Sequence, residues 1–186
     1  MTKTIILATA LATIFVVSML IAPAWSAGHV VLDKSEVKVK NGATLDVKIK
    51  VTAKIPKDES SAFGYAVLTD GGNKVLVLVT HVPAFDDSVF DDKKGGFHTH
   101  VLNLKAAAGG PCPAAAQFEV DFTVAPTDPG YKNSVKGKTV TIKNVPIDEL
   151  GDAGVETIAA FLASIVGPVG SPTNVCVQVT TTLPPP

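Results

Sequence analysis

Alternation of apolar and polar residues governs this chain after its first two dozen positions. Residues 44–51 are the clearest case. Leu45, Val47, Ile49 and Val51 fall on one face, and Thr44, Asp46, Lys48 and Lys50 on the other. A period of two marks a half-buried strand in an antiparallel sheet. Shorter runs at 29–32 and 36–40 flank Asp33 and read as strands, and Asn41-Gly42 supplies a turn. Residues 63–69 and 74–81 form a predicted hairpin across Asp70-Gly71-Gly72-Asn73. Every position from Val75 to Val79 is apolar, which predicts a central strand, since an uncovered edge of that composition would aggregate. A long loop with four aspartates fills 82–96, and further strands are expected at 97–105, 117–124, 138–144 and 174–181. Between the last two, Val155, Ile158, Ala159, Leu162 and Ile165 or Val166 recur at helical spacing, and Gly167-Pro168 would end the helix. A β reading of that segment stays open.

Eight or nine short strands with frequent turn signals predict a mainly β protein. The expected architecture is a single immunoglobulin-like antiparallel β-sandwich with one short helix near the C-terminus. Unequal connection lengths favour a sandwich over a barrel. No internal repeat and no second domain is visible.

The first 26 residues follow a different pattern. Lys3 is the only charge before Asp33, and 4–22 is apolar apart from Thr and Ser. Pro23 and small residues follow, which is the layout of a secretory signal peptide. Ala24-Trp25-Ser26 places small residues at both positions of the cleavage rule, so the mature chain would start at Ala27. Cuts after Ala24 or Gly28 are the alternatives. The apolar run approaches the roughly 18 residues that span a bilayer, so an uncleaved membrane anchor is the other reading. The division is then a signal peptide at 1–26, a domain at 27–181 and a Pro-rich tail at 182–186. The location is extracytoplasmic on either reading, secreted or at the cell surface.

Composition narrows the partners. All 16 basic residues are lysine and the net charge is −1. With no arginine and no basic run, nucleic acid is not an expected partner. Cell-envelope or surface proteins remain, and a membrane only if the N-terminal segment is retained. Two cysteines in an exported chain predict one disulfide, Cys112–Cys176. On the chain-entropy account such a bridge contributes about 4 kcal/mol. A blue-copper thiolate is disfavoured, because no His or Met follows Cys112 closely.

The four histidines carry the candidate chemistry. His98 and His100 are two apart on a strand and share one face with Leu102 and Leu104. His81 ends the preceding strand in phase with Val75, Val77 and Val79. If those strands are neighbours, three imidazoles meet at one end of the sheet, a donor set suited to copper or zinc. Asp86, Asp87, Asp91 or Asp92 could add a carboxylate from the loop, although their spacing is not that of a calcium loop. His29 is a separate lead. After cleavage at Ser26 it would be the third residue, placed to join the terminal amine and two amides around Cu(II). After cleavage at Gly28 it would chelate through amine and ring. No nucleophile elbow, phosphate loop or dinucleotide fingerprint is present, and no general base accompanies the histidines, so an enzyme is not the expected reading.

The stretches 28–40, Ala62-Phe63-Gly64-Tyr65-Ala66-Val67 and Phe97-His98-Thr99-His100 resemble small secreted proteins of ammonia-oxidising archaea. That resemblance brings no activity with it, but implies a copper-dependent cell biology. His29 near the start of an exported β-domain also resembles periplasmic copper-binding sandwiches, which begin with His directly after cleavage. Here the preferred cut leaves two residues before it. The functional expectation is an exported metal-binding domain, copper ahead of zinc, held by His81, His98, His100 and His29. The alternative is a structural or adhesive surface domain without metal.

Overall fold

A computed structural model describes residues 27–57, 62–69, 74–80, 96–127, 129–148, 155–167 and 172–184. The segment 1–26, the 70–73 turn, His81 and the four loop aspartates lie outside the described residues. A 3-10 turn at Ala27–Val30 leads into β1 (Leu32–Lys40), β2 (Thr44–Val51), β3 (Phe63–Thr69), β4 (Lys74–Thr80) and β5 (His98–Ala106). There follow β6 (Phe118–Val120), β7 (Lys132–Lys136), β8 (Thr139–Pro146), β9 (Val155–Val166) and β10 (Asn174–Leu183). The protein is mainly β and its strand pairs are antiparallel, as the alternation predicts.

The strands form two packed layers, but only one of them is an open sheet. One sheet of four runs in the order β1-β2-β8-β7. The other six strands close on themselves in the order β10-β6-β5-β4-β3-β9, because β9 pairs with both β3 and β10. The second layer is therefore a barrel rather than the open sheet of an immunoglobulin-like sandwich.

β9 also corrects the expected C-terminal helix. Ile158 and Ala160 pack into the core outside the barrel, while Ala159 and Phe161 point into its interior. A strand buried on both faces is apolar at successive positions, and over a short window that run imitates helical spacing. Ladders to two neighbours then override the helix preference of its Ala and Leu residues. β6 departs the other way, with three residues where a longer strand is expected. The Asp121 carboxylate accepts from the Thr123 N–H (3.0 Å) and hydroxyl (2.7 Å), turning the chain out of the ladder. β7, with its modest Lys-Asn-Ser-Val-Lys alternation, is an additional strand. β10 extends through Thr182 and Leu183, which pair with Ala159 and Ile158, so the ladder enters the segment expected as a tail.

Two hydrophobic cores result, separated by the barrel wall. In the first, Leu45, Val47, Ile49, Val140 and Ile142 of the four-stranded sheet pack on Phe63, Tyr65, Val67, Leu76, Leu78 and Ile158 of the wall. The second fills the barrel, with Ala66, Val75, Val77, Leu104, Val120, Ala159, Phe161 and Val177. β4 is the central strand its composition predicts, sending Leu76 and Leu78 to one core and Val75 and Val77 to the other.

Candidate functional site

Side chains that alternate inward from the barrel strands make its lumen. Around a cavity of about 90 Å³ stand Ala66, Leu68, Val77, Val79, Leu102, Leu104, Val120, Phe161 and Val177, with Phe122 and Pro126 from the segment after β6. That segment is held against β5 by reciprocal Val101–Thr127 backbone bonds, each 2.9 Å. Gly64 keeps a place for the Phe161 ring: a Cβ there would lie 2.6 Å from both Phe161 Cζ and the Leu78 carbonyl oxygen. Several lining side chains, among them Leu68, Val79, Leu102, Phe118 and Val175, are only half-buried, so the lumen opens to solvent. His100 is the one polar side chain among the described residues that line it.

The barrel closes unevenly. β6 meets β10 at two positions and β5 at three. Polar and covalent ties reinforce this seam. Glu119 accepts from Asn174 Nδ2 on β10 (2.9 Å) and pairs with Lys105 on β5 (3.3 Å). Cys112, in the loop before β6, is bonded to Cys176 on β10, with Cα atoms 5.6 Å apart. The disulfide expected from cysteine count is thus present, and it staples the shortest stave to its neighbour. A disulfide fits a location outside the reducing cytoplasm. No helix among the described residues is long and apolar enough to cross a membrane.

His98 and His100 share a face, as their spacing requires. Both are buried, and their rings meet edge to face with centroids 4.7 Å apart. Val79 stands opposite His98 and Val77 opposite His100 on β4. His98 Nδ1 lies 3.0 Å from the Gly96 carbonyl oxygen. A carbonyl can only accept, so Nδ1 carries a proton and, in the neutral ring, Nε2 presents the lone pair. His29 does not join them. Its ring packs edge-on to Phe63 at 4.7 Å, on the outer side of the wall, and its carbonyl accepts the Tyr65 hydroxyl at 2.7 Å. Among the described residues, no group of three His, Cys, Asp or Glu side chains is placed to hold a metal.

Sequence reasoning found the histidine face but not the lumen behind it. The signal was present in Val75 to Val79 and in β9, two runs apolar on both faces, which need a second core as well as a first. No protein family, curated protein or solved structure matches this chain.

Proposed function

We propose that this is an exported binding protein whose barrel lumen takes the end of the apolar chain of a single-tailed amphiphile. One observation carries the reading: an open cavity lined by aliphatic and aromatic side chains, with His100 the single polar group among the described residues. Such pockets are the usual form of small-molecule sites. At about 90 Å³ the cavity is smaller than the roughly 150 Å³ apolar cavity known to accept benzene and well below the roughly 300–1,000 Å³ of drug-sized sites, so it has room only for the end of a chain, the rest lying along the half-buried rim. The test is titration of the purified domain with a fluorescent fatty acid, followed by displacement with palmitate. One site per chain is expected, with affinity at least tenfold weaker in Ala163→Phe, which puts a ring at the half-buried rim. Absence of binding, or binding indifferent to that substitution, would overturn the reading.

A second reading, a metal site with copper ahead of zinc, has its own support in the His98–His100 pair. Metal-bound histidines commonly donate their other ring N–H to a carbonyl, which is how His98 meets Gly96. His98 and His100 would supply two nitrogens and His81 the third. Metal analysis after copper or zinc loading decides it: His98→Ala/His100→Ala should lose the bound ion. Unchanged uptake by the double variant would remove this site from consideration.

A further inference from the structure

The outer face of the four-stranded sheet gathers lysines from all of its strands. The residues that alternate with the buried core positions are Lys34, Lys38 and Lys40 on β1, Lys48 and Lys50 on β2, Lys143 on β8, and Lys132 and Lys136 on β7. Against these eight stand three carboxylates: Glu36, Asp46, and Asp33 at the β1 bulge. Each is already engaged by a lysine, in the pairs Lys38–Glu36, Lys40–Asp46 and Lys50–Asp33. Lys40 and the Asn144 N–H hold the Asp46 carboxyl below its ordinary range, so it stays charged and paired at neutral pH. Lys34 stands directly opposite Lys50, and Lys132 opposite Lys143. Like charges in facing positions destabilise a sheet, so folding stability alone gives no reason for this arrangement. The chain as a whole carries a net charge of −1, which makes the face a local excess rather than a general property.

We propose that this lysine face docks on an anionic lipid bilayer. The charges spread in two dimensions, with strands about 4.8 Å apart and alternate residues nearly 7 Å apart. The outward positions of the four strands carry no aromatic side chain to stack on a sugar ring or a base, and no arginine to grip one phosphate in a fork. Point charges interleaved with Thr44, Thr139, Thr141 and Ser134 suit a planar array of phosphate headgroups.

Both sheets, both cores and the disulfide lie within 27–184, so the domain 27–186 is the species to test. Its partition onto vesicles of phosphatidylglycerol mixed with phosphatidylcholine is measured by sedimentation. Binding should rise with the phosphatidylglycerol fraction and disappear in about 1 M salt, where the screening length falls to about 3 Å. Lys34→Gln/Lys48→Gln/Lys136→Gln/Lys143→Gln should bind about fivefold more weakly per lysine removed, and more than a hundredfold overall. Arginine at the same four positions should retain binding, and unchanged melting of both variants separates docking from folding. Equal binding to pure phosphatidylcholine, or full binding by the glutamine variant, would overturn the proposal. So would tighter binding to soluble polyglutamate than to vesicles, which would give the face to an acidic polymer.

Discussion

Tyr65 joins the N-terminal turn to the barrel wall through a single hydroxyl. The side chain is fully buried in the core between sheet and barrel, and its O–H donates to the His29 carbonyl. Burial raises its pKa well above the ordinary value near 10, since a phenolate there would lose its water. A raised folded-state pKa contributes stability that is fully present below about pH 10. It is lost as pH climbs through the interval above that value. Tyr65→Phe should therefore cost about 1–3 kcal/mol at neutral pH, from the unpaired carbonyl, and should flatten the alkaline fall in stability. Urea denaturation from neutral to strongly alkaline pH checks both; a variant with the same alkaline slope as the parent would place the titration elsewhere. At this scale the sequence was legible in part. Spacing assigns His98 and His100 to one face correctly, because strand parity is local. It cannot say which side of the wall His29 occupies, because both sides are apolar and the choice is made by Phe63 and Tyr65, far away in sequence.

Strands that bury one face were readable, and strands that bury two were ambiguous. β2 alternates strictly and appears where expected, and the Asn41-Gly42 turn has the positive φ values (52° and 66°) that its residues favour. β9 mimicked a helix because a core covers each of its faces. β6 was cut short by one carboxylate, Asp121, whose bonds to Thr123 are invisible to a pattern of apolar positions. That brevity makes the β5–β6–β10 seam the element most dependent on ties outside the ladder. Cys112→Ser/Cys176→Ser should lower stability by about 4 kcal/mol if loop-closure entropy dominates, as it does for long loops on that account. More specifically, amide exchange should quicken first at Glu119 and Val177, the ladder positions beside the staple, while β2 and β8 stay protected. Uniform acceleration across all strands would show instead that the bridge acts only on the unfolded chain.

The molecule is organised around one wall with a core on each side. Strands β3, β4, β5 and β9 supply side chains to both cores, so neither can be lost without withdrawing packing from the other. This arrangement was beyond the reach of the sequence, since closure depends on β9 bonding β3, far earlier in the chain, as well as its sequence neighbour β10. The lysine face was hidden for a related reason: its members are dispersed over more than a hundred residues and form no basic run. It follows that a ligand in the lumen should be felt in the four-stranded sheet, although it touches no residue there. A chain-like amphiphile present at a hundred times its dissociation constant adds about 2.7 kcal/mol to the folded state. If the wall couples the cores, β2 and β8 amides that exchange through global opening should slow by the same factor, about a hundredfold, as those of β5 and β10. Slowing confined to the barrel would mean that the sheet opens as a separate unit. The wall would then divide the molecule rather than unite it.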